Sequence, residues 1–163
     1  MVSFLTMIKE SILPKPNLES DTVLKIKLLT DTAKMPFYGS EGAAAFDVTT
    51  THCGVIQPGL AVTFSTGLAF EIPKGYYLEV VSRSGHGFNH SLRLANCVGV
   101  IDSDYRGELK VRIHNDGNYP YNVKAGERVA QCILKKYEVA QFEVVDELSS
   151  TERGEGGFGS TGK

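Results

Sequence analysis

The chain has no apolar run long enough to cross a membrane, because a spanning helix needs about 20 consecutive apolar residues. It has no excess of either charge: 17 basic residues stand against 19 acidic ones, a net charge of −2. That balance argues against a surface built to grip long nucleic acid through its phosphates. A small anionic ligand, which needs only a few local cations, remains open. Cysteine is scarce and unpatterned. Cys53, Cys97 and Cys132 are far apart, odd in number and without CxxC spacing, so neither a disulfide framework nor a zinc site is expected, and a reducing interior fits. The stretch Met1–Ile12 has apolar residues but no basic start and no long apolar segment, which makes it a poor secretion signal. The expected location is the cytoplasm.

What is present is enough for one domain: 163 residues can bury a core without covalent staples. Residues 1–22 read as an extension, with an apolar start that suits a short helix and with Pro14 and Pro16 as helix breakers. Apolar and β-branched runs then recur at the spacing of a β-sandwich or barrel. They are Val23–Leu29, Phe46–Thr50, Ala61–Thr66, Tyr76–Val81, Val98–Ile101, Leu109–Ile113 and Arg128–Tyr137. Turns fall at Gln57-Pro58-Gly59, Pro73-Lys74-Gly75, Asp116-Gly117 and Ala125-Gly126. Ser82–Leu94 is polar and has room for one or two helical turns. The expected fold is mostly β, a jelly-roll-like barrel over residues 23–148 with little helix, followed by a glycine-rich arm over 149–163.

Five segments can carry chemistry. In Val100–Glu108, Asp102 and Asp104 flank Ser103 after an apolar strand. Two acids beside a turn are usually solvated, but an acid at the end of a buried strand can be held and aimed at a water as a general base. In Ser82-Arg83-Ser84-Gly85, a guanidinium, a hydroxyl and a glycine at a strand-to-helix junction suit a phosphate. In Gly126–Gln131, Arg128 reads as a structural ion-pair former and Gln131 as a side chain within reach of a ligand. In Arg153–Gly162, composition alone suggests a flexible tail, but Phe158 followed by Ser160 and Thr161 suggests a lid that covers a base and wraps phosphates. In Gly42–Val48, Asp47 sits in an apolar strand, where satisfaction by backbone donors is the better expectation and a metal role the alternative.

In this order, the five segments resemble the five motifs of the homotrimeric dUTP pyrophosphatases. Ala44–Val48 resembles the first, Arg83-Ser84-Gly85 the core of the second, Gly99–Glu108 the third, Gly126–Gln131 the fourth and Arg153–Gly162 the fifth. The resemblance spans Val23 to Lys163, and its third and fifth motifs are specific. It implies a jelly-roll subunit in a homotrimer with active sites shared between subunits. It also implies hydrolysis of dUTP to dUMP and pyrophosphate, which lowers dUTP and supplies dUMP for dTTP synthesis. Mg²⁺ would be held mainly by the substrate's phosphates, with Asp47 supporting it through water.

By the same resemblance, Asp102 is the general base. Tyr105 packs on the deoxyribose, and Asn96 with backbone groups of the hairpin from Asn96 to Tyr105, Gly99 among them, reads uracil. Arg83, Ser84, Gly85 and Gln131 hold the phosphates. Arg153 contacts the γ-phosphate side, Phe158 stacks on the base, and Gly159, Ser160 and Thr161 close the site. No nucleic acid or membrane partner is implied. The second motif departs from the family pattern at Ser82, where proline is usual, and at His86, where an aliphatic residue is usual. His86 is expected on the surface, although a place near the phosphates would add pH dependence. In the first motif, Ala45-Phe46 stands where the family usually has a glycine and an aromatic, a difference expected to alter packing rather than chemistry. Two other readings compete: a dCTP deaminase of related fold, and a nucleotide-switched binding module. The Asp102–Tyr105 loop and the Phe158 tail follow the pyrophosphatase pattern, and the filled catalytic positions argue against binding alone.

Overall fold

The computed structural model describes residues 22–158. The expected N-terminal extension, with its short helix, lies outside them apart from Thr22, as do Gly159, Ser160 and Thr161. Eleven strands and one helix are present among the described residues. The strands are β1 (Lys25–Leu28), β2 (Phe37–Tyr38), β3 (Phe46–Thr49), β4 (Gly54–Ile56), β5 (Ala61–Glu71) and β6 (Tyr76–Val81). After the helix α1 (Ser84–His90) come β7 (Leu92–Leu94), β8 (Val98–Ile101), β9 (Glu108–Asn115), β10 (Tyr121–Val123) and β11 (Arg128–Lys136). The mostly β, jelly-roll-like expectation holds, although the sheets stay open rather than closing on each other.

The strands form a four-stranded sheet in the order β1-β5-β9-β7, a five-stranded sheet in the order β2-β3-β11-β6-β8, and the pair β10-β4. Every pairing is antiparallel. One core lies between the two large sheets. Phe64, Leu68, Leu109, Val111 and Ile113 enter it from the first sheet, and Phe46, Val48, Leu78, Val80 and Cys132 from the second. Strand β9 has the alternation that a half-buried strand requires: Leu109, Val111, Ile113 and Asn115 point inward and the residues between them do not. The buried Asn115 is satisfied, donating to the carbonyls of Ile56 and Tyr119 and accepting the Gly117 amide. It thereby ties the end of β9 to β4 and to the following turn.

Strand β5 runs well past the expected Thr66. It pairs with β9 through Ser65 and with β1 from Leu68 to Glu71. At the changeover, its register against β9 shifts between Ser65 and Ala69. Gly67 sits in this bulge at φ +69°, and a Cβ there would lie 2.7 Å from the Ala33 Cβ. Its amide donates to Glu108 Oε1 at 2.9 Å, and its carbonyl accepts from Leu29 at 2.8 Å. Only glycine has both the left-handed backbone and the clearance.

Beyond Lys136 the described tail forms no strand. Phe142, Val144 and Leu148 project almost wholly into solvent, as does Phe158.

Gly67→Ala is expected to cost about 2–5 kcal/mol of unfolding free energy, from the positive φ together with the clash. Urea denaturation of the two proteins checks this, and an unchanged midpoint would mean that the bulge relaxes freely.

Candidate functional site

The five-stranded sheet brings the first, second and fourth motifs together. Asp47 on β3 is opposite Gln131 on β11, and Gln131 is opposite Val81 on β6. Residues paired across antiparallel strands share a face. The row Asp47–Gln131–Val81 therefore faces outward, while the neighbouring row of Phe46, Cys132 and Val80 is buried in the core. Arg83 follows two residues beyond Val81 and folds back over this row. Its Nε donates to Asp47 Oδ1 at 3.0 Å, and its Nη1 to the Arg128 carbonyl at 3.2 Å. Arg128 Nη1 donates to Asp47 Oδ2 at 3.1 Å. Asp47 is thus satisfied by two guanidinium groups rather than by the expected backbone donors, and Arg128 is the ion-pair former its sequence suggested. Gln131 Nε2 donates to the Ser82 carbonyl at 3.2 Å.

Ser82 and His86, the two departures in the second motif, both have structural partners. Ser82 Oγ accepts the Leu94 amide at 2.8 Å, fastening the end of β6 to β7. His86 was expected on the surface, but it is only 6 % exposed. Helix α1 turns its ring inward, against Tyr121 at 5.7 Å between centroids and with Nε2 3.3 Å from Glu127 Oε1. Glu127 also accepts the Tyr121 hydroxyl at 2.7 Å and the Lys124 amide at 3.0 Å. Sequence reasoning assigned no role to Glu127 or Tyr121. The only available signal was an acid beside an arginine at a glycine turn, which is common. Next to His86 and Arg83, Ser84 is exposed, and nothing lies within 4 Å of where a Gly85 Cβ would be. An anion can approach that backbone closely.

The third motif lies elsewhere. Strand β8 was expected to be buried, but it is the outer strand of its sheet, with Val98 47 % and Val100 60 % exposed. Val98 is level with Val81 and Ile101 with Leu78. Asp102 therefore emerges at the level of Tyr77 and is exposed. At ~3.3 Å per residue, that level is about 13 Å along the strand from Val81, and farther from Arg83. The Tyr105 hydroxyl donates to the Glu108 carbonyl at 3.2 Å, and its ring lies over Gly107, where a side chain would collide with it. Asn96 is exposed in the β7–β8 turn, where its carbonyl accepts the Val98 amide at 2.7 Å and its Nδ2 lies beside Gly99. Gly99 lets β8 run close against Val80. In the tail, Arg153 Nε donates to the Gly156 carbonyl at 2.7 Å, and Phe158 touches nothing that buries it. The structure does not bring Asp102, Tyr105, Arg153 or Phe158 of one chain to its Arg83–Gln131 cluster.

Among the described residues, no three His, Cys, Asp or Glu side chains converge as metal ligands. With Asp47 engaged by two arginines, the donor set does not make a protein cage. It fits a cation carried on phosphate oxygens.

Burial, and after it the Arg83 charge, holds the His86 imidazole below the ordinary histidine range. The folded protein therefore resists a proton that the unfolded chain accepts near pH 6.5. Stability is full above that range and falls as pH drops through it. Burial pushes Glu127 up, but the Lys124 amide, the Tyr121 hydroxyl and His86 outweigh it and leave the carboxyl below its usual value. Glu127 therefore loses its contribution only at more acid pH. Urea midpoints at about pH 7 and about pH 5 are expected to differ in the native chain and to converge in His86→Leu. A slope that persisted in the variant would assign the effect to another group.

The dUTPase family model matches residues 31–162. The deoxyuridine 5′-triphosphate nucleotidohydrolase of Nautilia profundicola is 46 % identical over 140 residues, covering 86 % of this chain and 99 % of its own. The enzyme of the same name from Paramecium bursaria Chlorella virus 1 is 41 % identical over 139 residues, covering 85 % of this chain and 97 % of its own. Among solved structures, the dUTPase of Staphylococcus bacteriophage 80alpha with dUPNHPP superposes with a TM-score of 0.80 at 30 % identity, covering 86 % of this chain and 99 % of its own. The chain belongs to the dUTPase family.

Proposed function

We propose that the chain hydrolyses dUTP to dUMP and pyrophosphate at a site assembled between copies of itself. The observation that carries the shared site is the separation of the motifs. One chain holds every piece, yet Asp102 leaves the sheet at the level of Tyr77, while Arg83 and Gln131 cluster at and beyond the level of Val81. A tail that leaves Phe142, Val144, Leu148 and Phe158 uncovered also supports association. A homotrimer is the arrangement we infer, with residues 23–148 as the β domain, residues 149–163 as an arm that closes on a neighbouring copy, and residues 1–22 as an extension.

In this reading Asp102 orients a water and takes its proton as the oxygen attacks the α-phosphorus in line. A bond from phosphorus to the water oxygen forms, the bond to the bridging oxygen breaks, and pyrophosphate leaves. Arg83, Ser84, Gly85 and Gln131 hold the phosphates. Asn96 and the backbone around Gly99 read the uracil edge, and Tyr105 packs on the deoxyribose. Arg153, Phe158, Gly159, Ser160 and Thr161 close over the substrate and exclude water. A divalent cation belongs to the chemistry of this family; we propose Mg²⁺, which on the phosphate oxygens would neutralise developing charge. Three unpaired thiols suit a reducing compartment, and the cytoplasm is the location we propose.

The test is an incubation with Mg²⁺ and an equimolar mixture of dUTP, dTTP, dCTP and UTP, followed by anion-exchange chromatography. Selective conversion of dUTP to dUMP supports the reading, and deamination of dCTP or no conversion overturns it. Asp102→Asn is expected to lower turnover by about 10²–10⁴-fold while still binding dUTP; undiminished turnover would remove Asp102 from the mechanism. Truncation after Ser150 is expected to cut kcat/KM severely with no change in elution from a sizing column. Full activity in the truncated chain would rule out the arm as a closing element.

A further inference from the structure

The phosphate-facing segment Arg83–Gly85 is flanked by two ties to adjacent residues of another motif, Arg128 on one side and Glu127 on the other. On one side, Arg83 donates to the Arg128 carbonyl and shares Asp47 with the Arg128 guanidinium. On the other, His86 reaches Glu127 Oε1 at 3.3 Å. Ser84 and Gly85 lie between these anchors, with open space in front of Gly85. The two ties differ in exposure. The Arg128 side chain is about half exposed, whereas the His86 side chain is 8 % exposed. An anion arriving at Arg83 can compete for the outer tie, because a guanidinium pairs with phosphate as well as with carboxylate. The inner tie is out of its reach.

Glu127 is itself immobilised. The Tyr121 hydroxyl and the Lys124 amide fix its two oxygens. Its own carbonyl accepts the Thr50 amide at 2.9 Å, and the Gly126 amide donates to the Thr50 carbonyl at 2.7 Å. The turn before β11 is therefore joined to the end of β3, and a side chain fastened to Glu127 is fastened to the frame of the sheet. Helix α1 has only seven residues and no side-chain cap at its start. It is too short to hold its own first turn, so its position depends on such external fastening.

We propose that His86 is a positioning residue for the phosphates: bonded to Glu127, it sets the distance of the Ser84–Gly85 backbone from Arg83 and Gln131. An aliphatic residue at position 86 would fill the space but leave Glu127 one donor short and the segment held at one end only. The inference rests on the reading of Arg83–Gly85 as the phosphate site, and the experiment separates the two.

Steady-state kinetics with dUTP and Mg²⁺ are measured for His86→Leu, His86→Gln, Arg83→Ala and the native chain, together with the inhibition constant of dUMP, which lacks the outer phosphates. His86→Leu is expected to raise KM about tenfold, with kcat changed less than about twofold and dUMP inhibition unchanged. His86→Gln keeps an N–H for Glu127 and is expected to recover most of the loss. A general loosening of the fold would weaken dUMP and dUTP alike and would not be rescued by glutamine; that pattern overturns the proposal, as does an unchanged KM in His86→Leu. Arg83→Ala with native KM would overturn the underlying phosphate reading instead. Arg83→Ala impaired beside a native-like His86→Leu would remove the role of His86 alone.

Discussion

The carboxylate of Asp47 is the point at which three distant parts of the chain meet. Its two oxygens take a guanidinium each, from Arg83 and from Arg128. Two like charges are thereby held close together near the sheet surface, which is tolerable only with a counter-charge between them. Arg83 bends back because this counter-charge is there. The chain after β6 can then start a helix at Ser84, and Gln131 can reach the Ser82 carbonyl. Without Asp47, two cations would repel each other in the place proposed to receive the triphosphate. With it, they are spaced and oriented before any substrate arrives, which is the condition for electrostatic preorganisation.

This arrangement explains what could be read along the chain and what could not. Tyr76–Val81 and Val98–Ile101 were legible to the residue, because both are rich in β-branched and aromatic residues and are bounded by polar segments. Strand β7 was not, since three residues with Arg93 in the middle are too few to show a period. Strand β5 was cut short at Thr66 because a glycine usually ends a strand, whereas Gly67 lets this one bend and change partners. The site divided in the same way. Its motifs were visible as local patterns, but the partners of Asp47 are 36 and 81 residues away, and no local pattern reports such a pairing. His86 was misjudged for a related reason. Burial of a histidine depends on whether the fold supplies an acceptor, and Glu127 lies far along the chain from His86. Strand β8 read as buried because apolar residues usually are, yet Val98 and Val100 lie on the outward face of an outer strand.

Two kinds of polar burial serve different ends. Asn115 and its carbonyl partners fix a loop and are inert, since every donor and acceptor is used. The cluster of His86, Glu127 and Tyr121 is also bonded, but its members titrate. Burial and the Glu127 carboxylate push the Tyr121 hydroxyl up to about 12. The cluster stays uncharged apart from Glu127 over the neutral range, and the single carboxylate sits one residue from Arg128. A compact group of this kind can hold a helix in place with no charge beyond that one carboxylate.

Strand order has a consequence for synthesis. The centre of the five-stranded sheet is β11, the last strand described, and its neighbours β3 and β6 precede it by many tens of residues. While the chain emerges from the ribosome, β3 and β6 have no common partner and expose unpaired backbone edges. The three motifs that β11 unites stay apart until nearly the whole chain has been made. The nascent protein therefore cannot assemble this cluster, and a chain broken off before Arg128 would leave aggregation-prone edges rather than a partly formed site.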